Sequence, residues 1–432
     1  MNYLNHLIQS KGFRQLGKRA LAIRRRYGVT PGKMMQAFEQ LLSTLEEYGC
    51  RATFPVTAVT LARHPAPIRQ LQERGMELAV HGWTHVSLDC YSKEQQREHL
   101  CRALNVFIQH GIRAKGFRSP YLCRNDTIRE VVEAAGFRYL SNDPILWDGI
   151  GGSDWPGGNA QACQQVVDFY APWMSNEYLS LPTVQGQIVE IPVSLPDDEM
   201  LVERLGANSS AQIAQIWTGI LHQTYAREEL FTIQLHPERA AICAPALRHV
   251  LSEAHSCTPP VWIACLAEIA EWWQQRSAFC VEVMRKELGQ YDVVIRGPAQ
   301  ALALVRSVQV IGKSETWADG YQLVRSHRFS VRCGSRPLVG VSERTHKSLV
   351  SFLEQQGYLF EISQRRDEYP VYFDRPNFAR AEEKSLLQEI EVSRSPLIRM
   401  ARWPGGAHSA MAVTGDIDAL TLWDYGLRFF GR

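Results

Sequence analysis

No aspartate or glutamate precedes Glu39 in this chain. The same stretch carries Lys11, Arg14, Lys18, Arg19, Arg24, Arg25, Arg26 and Lys33, with Leu4, Leu7, Ile8, Phe13 and Leu16 spaced between them. Residues 1–27 therefore read as a basic arm. It is either solvated and packed on the domain, or a peripheral contact for an anionic membrane surface or an acidic substrate. The ten cysteines include no C-x-x-C pair. Scattered in this way, they are expected to be reduced side chains in a cytoplasmic protein and not a disulfide framework. No apolar run reaches the ~20 residues of a membrane span. The N-terminus has no uninterrupted apolar core of the kind a signal peptide needs. Charge of one sign is also scarce. A net +2 over 432 residues leaves no footprint for nucleic acid. What remains is apolar mass: 45% of residues are hydrophobic and 21% charged, enough for one large or two medium domains.

From residue 30 the chain alternates helical and extended signals. Thr30-Pro31 predicts an N-cap followed by proline at the first helical position. A helix through Phe38, Leu41, Leu42 and Leu45 then stops near Gly49. Strands are expected at Cys50–Val56, Met76–Val80, Ala114–Phe117 and Phe137–Leu140. Ser92-Lys93-Glu94-Gln95 has the form of a capping box opening a helix to about His110. Another helix should start near Thr127 and end at Gly136. The stretch 150–185, with Gly151-Gly152, Pro156-Gly157-Gly158 and Pro172, breaks the alternation and reads as a long loop, a lid or substrate wall. Alternation resumes with a helix near 210–226, a strand at Leu230–Leu235, a helix near 243–254, a strand at Val261–Ala264 and a helix to about Gln275. This repetition predicts an α/β fold with parallel strands, helices outside and reactive residues where strands end. Residues 279–400 have a different texture, with strand-like runs and a helix over Thr345–Gln356. They read as a smaller α+β domain. A final strand, Ala410–Thr414, closes the chain.

Four polar motifs follow predicted strands. His81-Gly82-Trp83-Thr84-His85 follows Met76–Val80 and places two imidazoles four residues apart, a spacing that can converge on one metal ion. Arg118-Ser119-Pro120-Tyr121 follows Ala114–Phe117. His236-Pro237 follows Leu230–Leu235. Asp416-Ile417-Asp418 follows Ala410–Thr414, and extended backbone would point both carboxylates the same way.

Together these motifs resemble the NodB-homology polysaccharide deacetylases, carbohydrate esterase family 4. In that family an acidic motif, H-[ST]-x-x-H, R-x-P-Y, an Asp/Trp motif and a late L-H motif build the site. Here H-G-W-T-H departs at its second position, Arg118–Tyr121 fits in full, Leu235-His236 fits the late motif, and Ala52-Thr53-Phe54 looks like an early strand of the family. The acidic motif, which the family places before that strand, is missing there and stands at the C-terminus. A circular permutation is the economical reading; a fragment of a second such domain is the rival.

The resemblance implies an irregular (β/α) barrel over residues 28–278, completed by 401–432, with 279–400 inserted. It implies a divalent metal, Zn²⁺ first, on His81, His85 and Asp418. Asp416 would be the general base, held by Arg118. The Tyr121 backbone N–H would bind the oxyanion and His236 would protonate the leaving amine. An aspartate tuning His236 would be Asp143 or Asp148, Asp143 preferred. Trp147 would either line the acyl pocket or belong to the core. The expected activity is removal of an N-acetyl or other N-acyl group from an amino sugar or related small molecule. A cyclic amidase and a catalytically inactive glycan-binding or scaffold barrel are the alternatives. His408, His99 and His110 read as surface residues, and Trp272-Trp273 as helix packing. Trp423 and Tyr425 could meet substrate or seal the join to the N-terminal segment.

Overall fold

A computed structural model of the chain describes residues 23–24, 26–147, 164 and 167–427. Most of the basic arm, Asp148 and the glycine-rich stretch through residue 163 lie outside these.

The main sheet, among the described residues, uses nine strands. They are β1 (Thr53–Val56), β2 (Glu77–Val80), β3 (Gly116–Phe117), β4 (Tyr139–Leu140), β5 (Thr183–Gln185), β6 (Ile188–Glu190), β7 (Leu230–Leu235), β8 (Val261–Ile263) and β9 (Ser409–Gly415). The order is β7-β9-β1-β2-β3-β4-β6-β5, with β8 paired to β9. All neighbours run parallel except β5 and β6. The sheet is α/β in type and open, a half-barrel in place of a closed ring.

The last strand among the described residues lies inside this sheet, second in its order, between β7 and β1. β9 pairs with β7 along Ala410–Gly415 and meets β1 at Thr53↔Thr414. All seven of its residues are buried, so both faces of the strand are covered. Alternation divides them. Met411 and Val413 join a core with Phe38, Leu41, Phe54, Val56, Trp217 and Leu247. Ala410 and Ala412 face a second core that contains Trp273, Val293, Val305 and Trp403.

Helices pack where amphipathic spacing and caps predict them. α1 (Gly32–Glu47) is followed by two short helices, α2 (Ala58–Arg63) and α3 (Pro65–Glu73). Pro31 is itself the cap of α1, one position earlier than its expected place inside the first turn. α4 (Lys93–Gln109) opens on the expected capping box, with Gln95 N–H donating to Ser92 Oγ and Ser92 N–H to Gln95 Oε1. α5 (Asp126–Ala134) is capped by Asn125. α6 (Ser210–Ala226), α7 (Ala240–Ser256) and α8 (Leu266–Arg276) complete the set. Trp272 and Trp273 on α8 are buried packing residues.

Residues 280–400 contain more strand than their sequence suggests. They form two four-stranded sheets and a three-stranded sheet, with helices Lys347–Gln356 and Glu383–Val392. Ala303–Arg306 and Leu397–Met400 were not anticipated, because both are buried along their whole length and show no polar alternation. This segment covers a surface expected to be open, which corrects the reading of His408. That residue is buried, with its ring against Tyr225 and Trp317 at centroid distances of 4.5 and 4.8 Å, and burial pushes its pKa down. Of the 150–185 loop, the described part includes short strands at Trp173–Met174 and β5.

The two ends of the described chain meet. Gly28 bridges Thr421, and the Tyr27 and Tyr425 rings lie 5.6 Å apart. Tyr425 thus seals the join, while Trp423 is exposed.

Candidate active site

β1, β2, β3, β7 and β9 bring their C-terminal ends to one place, and the sequence motifs arrive there with them. His81 leaves β2 with its Nδ1–H donating to the Arg118 carbonyl oxygen at 2.8 Å. A carbonyl can only accept, so the proton sits on Nδ1 and the Nε2 lone pair is left for a ligand. His81 Nε2 stands 3.3 Å from Asp418 Oδ1, and His85 Nε2 3.5 Å from Asp418 Oδ2. One ligand atom from each of the three residues falls within 4.8 Å of the others, and all three side chains are buried. Ligand atoms about 2.0–2.1 Å from a tetrahedral ion stand about 3.3–3.4 Å apart. Two imidazoles and a carboxylate at these separations fit a Zn²⁺-like ion.

The acidic turn is held from both sides. Asp416 N–H donates to the Leu235 carbonyl of β7 at 2.9 Å, and Ile417 N–H to the Pro55 carbonyl of β1 at 2.7 Å. Extended pairing therefore continues past the end of β9, which keeps Asp416 and Asp418 on one side. The Thr57 and Thr60 hydroxyls donate to the Asp418 carbonyl at 3.2 and 3.3 Å.

Arg118 is fully buried and spends its donors on four acceptors. They are Asp416 Oδ1 (2.9 Å), Thr414 Oγ1 (2.6 Å), Ser141 Oγ (2.8 Å) and the Ser141 carbonyl (3.2 Å). Gln234 was not foreseen. Its Nε2 donates to the other Asp416 oxygen at 2.9 Å. Its position two residues before His236 on a strand was the available signal, since both side chains then share a face. A carboxylate has about four lone-pair sites, so these two bonds orient Asp416 and leave it able to accept a proton.

His236 and Asp143 do not meet, which corrects the preferred pairing. The partner of His236 is Asp198. His236 Nδ1–H donates to Asp198 Oδ1 at 2.7 Å, its backbone N–H to Oδ2 at 2.8 Å, and Arg239 to Oδ2 at 3.3 Å. Burial alone would lower the imidazole pKa, but attraction and hydrogen bonding from Asp198 hold it well above the ordinary range. Burial likewise opposes ionisation of Asp198, and His236 with Arg239 outweigh it, so its pKa is lowered. The register explains the misassignment. Strand Pro144–Leu146 runs parallel to Val193–Leu195, with Pro144 opposite Val193. Asp143 stands before the start of this pair and Asp198 beyond its end. Asp143 instead faces Arg124 and Arg380 at 3.7 and 3.5 Å. Trp147 is fully buried in the main core.

The departure at Gly82 has a physical cause. Gly82 has φ +81°, and a Cβ there would lie 2.9 Å from His99 Nε2. His99, expected on the surface, is buried and accepts the Trp83 N–H at 2.7 Å. Burial, followed by repulsion from Arg102, lowers its pKa to about 4, which keeps it a neutral acceptor. His99 thus fixes the turn between the two candidate ligands, a role its position on α4 did not signal. His110 is only partly buried, with its ring against the Val106 carbonyl at 2.8 Å. Gly82→Ser should lower the unfolding free energy by at least ~1–2 kcal/mol for the left-handed backbone alone, to be measured by urea denaturation; unchanged stability would contradict this packing.

Tyr121 also has positive φ, +61°, and its ring meets the His85 ring at 4.5 Å. A tyrosine in that region is uncommon and costs about 1–3 kcal/mol. It sits where the R-x-P-Y resemblance puts an oxyanion donor.

The cysteines among the described residues are free. No helix among those residues is long and apolar enough to cross a membrane.

Residues 30–140 match the polysaccharide deacetylase family. Among solved structures, the chain is similar to a putative polysaccharide deacetylase from Mycobacterium smegmatis, with 24% identity, 58% of this chain and 82% of that one covered, and a TM-score of 0.42. It is also similar to a probable polysaccharide deacetylase from Pseudomonas aeruginosa PAO1, at 21% identity, 55% and 72% coverage and a TM-score of 0.44. A third is the peptidoglycan deacetylase PdaC from Bacillus subtilis, at 17% identity, 56% and 87% coverage and a TM-score of 0.34. The matched span, residues 30–140, holds the H-G-W-T-H and R-S-P-Y motifs and is similar in sequence to the polysaccharide deacetylase family.

Proposed function

We propose that the protein is a metal-dependent N-deacetylase that removes an acetyl or related acyl group from an amino sugar or similar small molecule. The observation that carries this reading is the convergence of His81, His85 and Asp418, with Asp416 two residues away on the same side of the chain. His81, His85 and Asp418 would hold the ion, most simply Zn²⁺. When bound, such an ion supplies Lewis acidity to the acyl oxygen and to the attacking water.

The chain's own groups do the remaining work. Asp416, aligned by Arg118 and Gln234, accepts the proton of the attacking water. The Tyr121 backbone N–H donates to the oxyanion. His236, kept protonated by Asp198, gives its proton to the departing amine. We also read the chain as a circular permutation: β9 supplies the acidic motif that the family places before β1, and residues 279–400 form the inserted domain.

Replacing Asp198 should act through pH. A raised His236 pKa keeps the acid form present at neutral pH and loses it only as pH rises through that value. In Asp198→Asn, burial and Arg239 are opposed by Glu238 alone, the smallest of these influences, and the pKa falls, so the alkaline limb of the rate profile moves to lower pH. The rate at pH 8 should drop about 10²-fold. The same pair is linked to stability. His236's contribution is present below its unfolded pKa and is lost as pH rises through the raised folded value. Asp198's is present above its unfolded pKa and is lost as pH falls through the lowered one. An unmoved alkaline limb would remove His236 as the acid.

The reading as a whole is tested by acetate release from N-acetylglucosamine and related acetamido sugars. Release should stop after chelation and return on adding zinc or cobalt. Release that continues undiminished after metal removal would overturn it.

A further inference from the structure

The turn that carries the candidate oxyanion donor is strained. Tyr121 and Leu122 both have positive φ, +61° and +54°. Bulky residues persist in that region only where their surroundings hold them. Two adjacent residues supply a hold on either side of Tyr121. Ahead of it, the Ser119 N–H donates to Asn142 Oδ1 at 2.7 Å. Beyond it, the Arg124 guanidinium forms an ion pair with Asp143 Oδ1 at 3.7 Å. Asn142 and Asp143 are themselves fixed, since their backbone N–H groups both donate to Glu190 Oε1, at 2.7 and 3.1 Å. Glu190 ends β6, so the hold is anchored in the main sheet.

The second partner of Asp143 comes from far along the chain. Both terminal nitrogens of Arg380 stand 3.5 Å from Asp143 Oδ2, on the carboxylate oxygen that Arg124 leaves open. The two guanidinium groups also share one ring: each carbon Cζ lies 5.0 Å from the Trp173 centroid. Arg124 donates to the Ala171 carbonyl, and Lys384, four residues after Arg380, donates to the Ser175 carbonyl at 2.6 Å. The R-S-P-Y turn and the 279–400 segment thus grip the same stretch and the same carboxylate. Two like charges held this close repel each other, and the anion between them is what keeps both in place.

We propose that Asp143 is a positioning residue: with Asn142 it fixes the Tyr121 turn from both sides, and through Arg380 it couples that turn to the 279–400 segment. The kinetic consequence rests on the deacetylase reading. An oxyanion donor acts only if it is aimed before the reaction, so a loosened turn lowers kcat and leaves substrate binding alone. The carboxylate that stands apart from His236 then has a task of its own in the same reaction.

The test pairs amide hydrogen exchange with kinetics on the full chain. Asp143→Asn keeps the side chain's size and removes its charge, and Arg380→Gln removes the distant partner. Ser119 N–H is bonded to Asn142, and Leu122 N–H to the Ser119 carbonyl at 3.0 Å, so a loosened turn is visible as faster exchange. Exchange across residues 118–125 should rise at least about fivefold in both variants, with β1, β2 and β9 unchanged. On N-acetylglucosamine, kcat should fall about tenfold, with KM within about twofold and zinc content unchanged. The double variant should be no slower than Asp143→Asn alone, because both changes break one bridge. Arg344→Gln, which breaks an exposed pair with Asp374 in the same segment, should alter neither exchange nor rate. Wild-type exchange at 118–125 in either variant would overturn the inference. So would an unchanged kcat, a loss that falls on KM, or exchange that rises throughout the protein, which would make Asp143 a stability residue only. A wild type without deacetylase activity but with the local exchange response intact would overturn the deacetylase reading and support the coupling.

Discussion

Asp416→Asn should lower kcat by about 10³-fold, ~4 kcal/mol of transition-state stabilisation, with KM and bound metal little changed. The argument rests on what touches the carboxylate. Arg118 and Gln234 donate to its two oxygens at 2.9 Å each, and neither contact is a metal ligand's. Asparagine keeps the shape but presents an amide N–H₂ toward one of those donors, and it cannot accept a proton from water. The protein should therefore fold, hold its ion and bind substrate while the proton transfer fails. Steady-state kinetics at matched metal content decides this. A variant that retains more than about a tenth of kcat would remove Asp416 from the reaction. One that loses metal in parallel would make it a ligand.

Asp418→Ala should abolish turnover by a different route. Removing one of three protein ligands, while two neutral imidazoles remain, should lower metal affinity well beyond the 10–100-fold typical of changes at outer partners. The backbone of residue 418 stays anchored by Thr57 and Thr60. The fold should persist, and a high zinc concentration should restore part of the binding but little of the rate. Side-by-side titration with zinc measures it; equal affinity in the two proteins would leave His81 and His85 with some other third ligand.

Much of this site is legible in the amino-acid sequence, for a reason particular to parallel sheets. Function collects at strand ends; His81, His236 and Asp416 each follow a largely apolar run long enough to recognise, and Arg118, after the short stretch Ala114–Phe117, is legible through its R-S-P-Y motif. The position of β9 follows from what is missing: no acidic residue precedes the Ala52-Thr53-Phe54 strand within the basic arm, and an unused acidic strand end stands at the other terminus. What stays hidden has a local cause in each case. Asp198 follows a strand of three residues, Val193–Leu195, behind a turn-rich stretch that masks periodicity. Gln234 is an uncharged residue inside a strand, where a buried amide and a ligand-orienting amide look alike. His99 lies on an ordinary amphipathic helix, and only the path of the Gly82–Trp83 backbone makes it necessary. His408 reads as exposed because the segment that covers it, including Trp317, comes from a region whose strands are too buried to alternate.

The claim at the centre of this account is that the C-terminal strand completes a metal site begun by β2. It is tested most directly by anomalous diffraction at the zinc edge on crystals grown with zinc. The account predicts one strong peak about 2.0–2.2 Å from His81 Nε2, His85 Nε2 and an Asp418 carboxylate oxygen. A peak bound by the histidines without Asp418, or no peak between these residues, would contradict it.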